Sequence, residues 1–135
     1  MSRAARGAAP PRLEEAFLRS VNRALLYWFA ESARPLKIRE RSDPYSVLVS
    51  EVMAQQTQIA RVDQLATAFL ERFPSLQSLA EAETADVLVA WKGLGYNRRA
   101  LALQRAAAHA VASGGLPTTV AGLLELPGVG PYTAR

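Results

Sequence analysis

The stretch that decides the fold is LPTTVAGLLELPGVGPYTAR, residues 116–135. Thr118 or Thr119 is placed to cap a short helix that runs through Leu126, because a hydroxyl at this position accepts a hydrogen bond from a free helix N–H. The sequence PGVG then turns the chain tightly, and Pro131 occupies the position at which proline opens a second helix. We therefore predict two helices joined by a glycine-containing turn.

Two helices joined in this way make a helix-hairpin-helix unit, here at about residues 119–135, and its glycines indicate a function. Glycine lets the backbone approach another molecule closely, and the exposed N–H groups at the start of the second helix form a phosphate site. We assign contact with phosphate to Gly128, Val129 and Gly130. The alternative, for the motif taken alone, is a helix end with a glycine turn that binds nothing.

The composition is that of one compact domain. The chain has 135 residues, of which 50% are hydrophobic, so it is long enough for one core and too short for two ordinary domains. The absence of cysteine excludes disulfides, thiolate metal sites and iron–sulfur ligation within this chain. The lone His109 has no partner ligands in its predicted helix, so we predict no metal site. The longest early apolar run, ALLYWFA, is too short to span a bilayer, and we expect no membrane partner.

The net charge of +4 favours an anionic partner such as nucleic acid. Much of this excess comes from Arg3, Arg6 and Arg12 in the opening MSRAARGAAPPR, which contains no acidic residue. Because the opening also lacks a periodic apolar pattern, we predict that residues 1–12 form a disordered basic tail. The alternative is a merely solubilising extension.

Residues 13–135 have an almost entirely helical pattern, so we predict an all-α fold. The first helix has apolar residues at three- and four-residue spacing, which predicts one buried face: Leu13, Phe17, Val21, Ala24 and Trp28, widened by Leu18, Leu25 and Phe29. Asp43 and Pro44 are placed to cap and open a second helix. Further helices are predicted at about 59–73, 76–80, 84–91 and 98–112, and no segment alternates as a strand does. In the first of these, one side is apolar and is predicted to be buried: Ile59, Val62, Ala66, Phe69 and Phe73.

The second helix carries an unusual polar strip in SEVMAQQTQ, residues 50–58. Helical spacing aligns Glu51, Gln55 and Gln58 on a flank beside the apolar face. The alternative is a solvated Glu at the edge of an amphipathic helix. Three amides with one carboxylate are nevertheless unusual on a surface helix, where Glu normally alternates with Lys or Arg. The strip is typical of a cleft that reads bases.

Four motifs in order, DPYSVLVSEVMAQQTQ, RFPSLQSLA, WKGLGYNRRALAL and LPGVGPYTA, resemble the adenine-DNA glycosylases of the MutY type, in the helix-hairpin-helix glycosylase superfamily. The resemblance covers about Leu13 to the last residue. It implies an all-helical glycosylase fold, here truncated after the hairpin, and base excision repair of adenine mispaired with 8-oxoguanine or guanine in double-stranded DNA. It also implies a cytoplasmic, nucleoid-associated bacterial protein that is monomeric. The family's [4Fe-4S] cluster is expected only for the full-length protein, since its cysteine ligands are absent here.

The resemblance assigns the chemistry to Glu51 and Tyr132. Glu51 takes the place of the acid that protonates adenine, because an adenine anion is a poor leaving group. We expect Glu51 to be partly buried beside Val47 and Tyr132. Tyr132 stands where strand-cleaving relatives carry a Lys that forms a Schiff base, so the resemblance implies a monofunctional glycosylase.

The remaining site residues are also implied by the resemblance. Gln56 and Tyr96 would wedge into the base stack, while Thr57 and Leu94 would approach the oxidised guanine. The other implied DNA contacts are Arg39, Gln55 and Gly95. The alternative for GLGY is a helix C-cap followed by a core tyrosine.

Two departures from the family pattern bear on activity. In LKIR, Ile38 replaces an aromatic residue near the base pocket, while Arg39 is retained. The sequence also stops at Arg135, before the positions of the family's catalytic Asp and C-terminal lesion-recognition domain, so we expect an N-terminal part that is inactive alone. The explanations left open are a fragment, a truncated gene product and a decayed paralogue. The alternatives are a thymine or other mismatch glycosylase, a helix-hairpin-helix DNA-binding module without chemistry, and an all-α protein-interaction domain.

Overall fold

The computed structural model describes residues 15–135, so the predicted tail at residues 1–12 and Leu13 lie outside the described part. Within it the chain is helical and contains no strand, as predicted. A 3-10 helix, Lys37–Glu40, precedes the second α-helix, and the α-helices are α1 Glu15–Ser32, α2 Pro44–Ala54, α3 Ile59–Arg72, α4 Leu76–Ala80, α5 Thr84–Ala90, α6 Arg98–Ala112 and α7 Val120–Leu124. Of these described helices, none combines the length and the apolar character that crossing a membrane would require.

The chain divides into two compact units, Met1–Pro35 and Leu36–Arg135. In the first unit, α1 forms as predicted and is supported by contacts between residues four apart, since Arg19 pairs with Glu15 at 3.0 Å and the Tyr27 hydroxyl donates to Glu31 at 2.8 Å. The prediction of a buried face is wrong, because no residue of α1 is buried and Trp28 is 62% exposed. Helical periodicity identifies which side of a helix is apolar, but burial also needs a facing apolar surface.

In the second unit, side chains fix where helices begin. Asp43 accepts a hydrogen bond from the Ser46 N–H at 2.9 Å and Pro44 opens α2, which confirms the predicted cap. This hydrogen bond lowers the pKa of Asp43 below its ordinary value. At α7, Thr119 rather than Thr118 is the cap, accepting from the Gly122 N–H at 3.1 Å.

The core of the second unit lies between α2, α3 and α6, with the short helices α4 and α5 packed against α6. The predicted apolar side of α3 is buried at Val62, Ala66, Phe69 and the adjoining Phe73. Trp91 is fully buried and meets the Phe69 ring edge to face, with centroids 6.0 Å apart. The buried face of α6 is mostly alanine, which allows its neighbours to approach closely.

Polar side chains tie the connecting segments to this core. The Tyr45 hydroxyl donates to the carbonyl of Phe73 at 2.7 Å, and burial raises the pKa of Tyr45. Gln104 donates to the carbonyl of Ala82 at 2.7 Å, which holds the chain between α4 and α5. These bonds satisfy backbone groups that no helix pairs.

The segment after α7 differs in detail from the prediction. The helix ends at Leu124 rather than Leu126, and Leu126 instead anchors the turn as a buried residue. Gly128 has a φ of 76°, and a Cβ there would meet the Cβ of Ala102 at 2.8 Å, so the hairpin packs directly on α6. After Pro131 the described chain makes one turn, closed by the Ala134 N–H to the carbonyl of Gly130 at 3.0 Å.

Candidate nucleic-acid interface

Three segments of the second unit surround one cavity. They are the α2 loop, residues 55–58, the α5–α6 loop, residues 92–97, and the hairpin, residues 127–130. The cavity has a volume of about 410 Å³, and its walls come from α2, α6 and all three segments. The side chains of Arg98, Arg99 and Arg105 line it. Cationic groups and backbone N–H groups around an open cavity are suited to an anionic partner.

Glu51 lies on the exposed side of α2. The partial burial expected for it is not found, because Val47 is 45% exposed and Tyr132 is 87% exposed. A hydrogen bond of 3.0 Å from the Gln55 amide to the Thr133 hydroxyl nevertheless brings the segment carrying Tyr132 to the end of the helix carrying Glu51.

Gln56 and Tyr96 share an unusual backbone conformation. Their φ angles are 59° and 49°, and they are the non-glycine residues with positive φ in the described part of the chain. Such angles cost about 1–3 kcal/mol for residues with a Cβ, and they persist only where the surroundings impose them. Both side chains are exposed and line the cavity. The structure therefore presents both predicted wedge residues at one surface.

Thr57 and Leu94, the other predicted lesion contacts, are placed differently from each other. Thr57 is half-buried in the α2 loop. The side chain of Leu94 is only 6% exposed and belongs to the core, so what its loop offers at this position is backbone. Gly95 has a φ of 71°, and its carbonyl accepts from the Trp91 indole at 3.1 Å.

Arg99 is a residue that the sequence pattern does not single out. Its Nη1 donates to three carbonyls at the end of α2, those of Val52 at 2.9 Å, Met53 at 3.3 Å and Gln55. Its Nη2 donates to the carbonyls of Leu94 at 3.0 Å and Gly95 at 3.4 Å in the α5–α6 loop. It also donates to the hydroxyl of Thr57 at 3.5 Å. Burial lowers the pKa of Arg99. One sequence signal does exist: Arg98 and Arg99 are the first two residues of α6, and the helix dipole disfavours cations at that end.

The predicted contact at Arg39 lies in the 3-10 helix and is exposed. Its neighbour Ile38 is half-buried against the core, and the Ile38 N–H donates to Asp63 at 2.9 Å. The segment LKIR, in which Ile38 departs from the family pattern, therefore packs against the core of the second unit.

The hairpin offers free backbone donors at its two glycines. Within residues 15–135, the N–H groups of Gly128 and Gly130 donate to no acceptor, whereas the Val129 N–H donates to Leu126 at 3.1 Å. The side chain of Val129 is buried, so the groups that the hairpin exposes for bonding are the backbone atoms of its glycines. His109 is exposed near the end of α6, and the described residues contain no group of three or more His, Cys, Asp or Glu side chains suited to a metal ion.

Sequence relatives are adenine DNA glycosylases. The chain is 41% identical over 122 residues to the adenine DNA glycosylase of Homo sapiens and 44% identical over 114 residues to that of Mycobacterium tuberculosis. Each match covers 82% of this chain. The chain spans less than half the length of these relatives, 22% of the human protein and 38% of the mycobacterial one.

Solved structures share the fold. A thermostable thymine-DNA glycosylase superposes with a TM-score of 0.76 at 24% identity, over 86% of this chain and 55% of that one. Endonuclease III, trapped as a covalent intermediate with DNA, superposes with a TM-score of 0.71 at 21% identity, over 91% of this chain and 58% of that one. At these identities the likeness shows the fold alone.

The family model for the HhH-GPD superfamily of base excision DNA repair proteins matches residues 49–132. This span begins inside α2, before Glu51, and ends at Tyr132, so it contains the α2 loop, the α5–α6 loop and the hairpin. These are the three segments that surround the cavity. The chain belongs to the HhH-GPD superfamily of base excision DNA repair proteins.

Proposed function

We propose that the protein carrying this chain is a monofunctional adenine-DNA glycosylase, which removes adenine opposite 8-oxoguanine or guanine in double-stranded DNA. The observation that carries the proposal is the exposed carboxylate of Glu51 on α2, close in sequence to the loop that presents Gln56. An acid near a side chain that can enter a base stack is what excision of a flipped base needs. The identity to adenine DNA glycosylases supports adenine as the base.

In this mechanism Glu51 supplies the proton. The bond between adenine and the deoxyribose breaks with both electrons going to the base, and the proton from Glu51 makes that base a neutral leaving group. The sugar acquires oxocarbenium character, and water adds to it and releases a proton to solvent, which leaves an abasic site. Tyr132 has no amine that could form a Schiff base with the sugar, so the reaction ends at hydrolysis without strand cleavage.

The exposed wedge residues hold the duplex open in this proposal. Gln56 and Tyr96 enter the stack and fill the space left by the flipped adenine. Thr57 and the backbone at Leu94 and Gly95 face the base opposite. Insertion between base steps costs a few kcal/mol of stacking, which contacts elsewhere must offset.

Those other contacts are phosphate contacts. The unpaired N–H groups of Gly128 and Gly130 and the exposed side chains of Arg98 and Arg105 supply donors for them. Arg39 and Gln55 add donors from the 3-10 helix and the α2 loop. Backbone donors are insensitive to base sequence, so they bind the duplex while the wedge and Glu51 select the lesion.

Single-turnover release of adenine from a duplex with adenine opposite 8-oxoguanine tests the proposal in the full-length protein. Glu51→Gln keeps the shape of the side chain but cannot donate the proton, and we expect release to slow about 10²- to 10⁴-fold with DNA affinity unchanged. Glu71→Gln, at an exposed position of α3, is the matched control and should release adenine at the original rate. A duplex with thymine opposite guanine tests the alternative base. Full activity of Glu51→Gln would remove Glu51 from the chemistry.

A second candidate function is duplex binding without excision, and one observation favours it for these 135 residues. Residues 126–135 contain no acidic side chain, whereas a positively charged sugar needs a nearby carboxylate to stabilise it. We therefore expect the 135-residue polypeptide to bind the duplex and to release no adenine. Release by this polypeptide that Glu51→Gln abolishes would refute the expectation and would require another acid, such as Asp43, in that role.

A further inference from the structure

Arg99 connects the α2 loop to the α5–α6 loop, and we propose that it is a positioning residue for the wedge. It holds Gln56 and Tyr96 in the one arrangement that lets both side chains enter a base stack together. The inference rests on the proposed function, because it assigns these two residues to the duplex. Arg99 itself touches no base in this account and acts through the two loops.

The hydrogen bonds of Arg99 reach both loops from one rigid group. Its Nη1 donates to the carbonyls at the end of α2, including that of Gln55, and its Nη2 donates to the carbonyls of Leu94 and Gly95. The α2 loop and the α5–α6 loop are far apart in sequence, and the planar guanidinium bonds both at once through its two Nη atoms. The position of each loop is therefore fixed relative to the other.

The acceptors of Arg99 are placed where they set the strained angles. The carbonyl of Gln55 belongs to the peptide group that precedes Gln56, and the carbonyl of Gly95 belongs to the one that precedes Tyr96. The φ angle of a residue is the torsion about its N–Cα bond, so it depends on the orientation of that preceding peptide group. By fixing both peptide groups, Arg99 supports the left-handed conformations of Gln56 and Tyr96, with φ of 59° and 49°.

The surroundings of Arg99 show that this position is specialised for a guanidinium. Its Cζ lies 5.6 Å from the centroid of the Trp91 ring and 5.7 Å from that of Tyr96. Its Nε–H is buried and has no hydrogen-bond partner in the described chain. The bonds of the two Nη atoms offset the cost of this unsatisfied donor. A lysine ammonium at this position carries its three donors on a single nitrogen, so it cannot reproduce the bonds that the two separate Nη atoms make to the two loops.

The first test needs no DNA and therefore does not depend on the proposed function. We expect Arg99→Lys in the full-length protein to speed amide hydrogen exchange roughly 10-fold in the α2 loop and in the α5–α6 loop together, because local opening follows loss of their shared bonds. Exchange in α3 should be unchanged. Arg98→Lys, at the exposed neighbour, is the control and should alter neither loop. Unchanged exchange in both loops, or equal acceleration throughout the second unit, would overturn the proposal.

The second test reads insertion of the wedge. A 2-aminopurine placed beside the mispair brightens when its stack is opened, so its fluorescence at saturating protein reports wedge entry separately from affinity. We expect the original protein to raise this signal and Arg99→Lys to lose most of the rise while still binding the duplex. In a Gln56→Ala, Tyr96→Ala background, Arg99→Lys should have no further effect on the signal. A full rise in Arg99→Lys would refute the positioning role, as would an equal loss in the background that lacks the wedge.

Discussion

The side-chain amide of Gln55 donates to the hydroxyl of Thr133 at 3.0 Å, across 78 positions of sequence. Gln55 is the C-cap residue of α2, and Thr133 lies in the single turn after the hairpin. The bond is partly buried, so water competes with it only weakly. It joins the segment carrying Tyr132 to the helix that carries Glu51.

Loss of this bond should loosen the hairpin segment. We expect Gln55→Ala and Thr133→Val each to lower the free energy of unfolding by about 0.5–1.5 kcal/mol, the usual net value of one hydrogen bond. Urea unfolding of the single variants and the double variant measures the coupling. Thr133→Ser keeps the hydroxyl and is the control. If the two single losses simply add in the double variant, the bond contributes nothing to stability.

The Asp43 cap of α2 should make thermal stability depend on pH in the acidic range. The Ser46 N–H lowers the pKa of Asp43 below its ordinary value, so the contribution of the charged cap is present above pH 3.8 and is lost as the pH falls through the lower, folded-state pKa. Asp43→Asn keeps an acceptor that does not titrate in this range. We expect its thermal midpoint to fall less than that of the original protein between about pH 4 and pH 2. Parallel pH profiles for the two proteins would contradict this.

Much of the fold follows from local patterns. The Asp43 cap, Pro44 at the first helical position and the apolar side of α3 are short-range signals, and the structure has them as predicted. The apolar stripe on α1 is predicted equally well by periodicity, but its exposure is not. Exposure depends on which surface faces the stripe, and no pattern within 18 residues contains that information.

The site divides in the same way between local and long-range information. The glycine turn at Gly128 can be read from the sequence because a left-handed residue there needs glycine. The role of Arg99 cannot, because its acceptors lie at the end of α2 and in the α2 loop, more than 40 positions earlier, as well as in the α5–α6 loop. Leu94 illustrates the same limit, since its motif indicates a ligand contact while packing places its side chain in the core.

Tyr132 provides a test of which face meets the sugar. If Tyr132 lies beside the reacting deoxyribose, Tyr132→Lys places an amine there that can form a Schiff base with the sugar after adenine has left. We expect the variant of the full-length protein to cleave the strand at the abasic site and to be trapped on DNA by borohydride. The 87% exposure of Tyr132 means that the substitution disturbs no core packing. Thr118→Lys, at an exposed position before α7, is the control for adding a cation and should not be trapped.

The two glycines of the hairpin should separate binding from folding. Gly130 has open space where a Cβ would go, so Gly130→Val should fold normally and weaken duplex binding by keeping phosphate away from the free N–H. Gly128 has a φ of 76° and a Cβ there would meet Ala102 at 2.8 Å, so Gly128→Val should also lower the free energy of unfolding, by about 1–3 kcal/mol.

Binding measured against salt identifies the contact, because log K falls with log salt at a slope of about −0.9 per phosphate neutralised by Lys or Arg. A neutral backbone N–H releases no counterion, so Gly130→Val should lower affinity with little change in this slope, whereas Arg98→Met should reduce the slope by about one if that side chain contacts a phosphate. Normal affinity in Gly130→Val would remove the Gly130 N–H from the phosphate contacts.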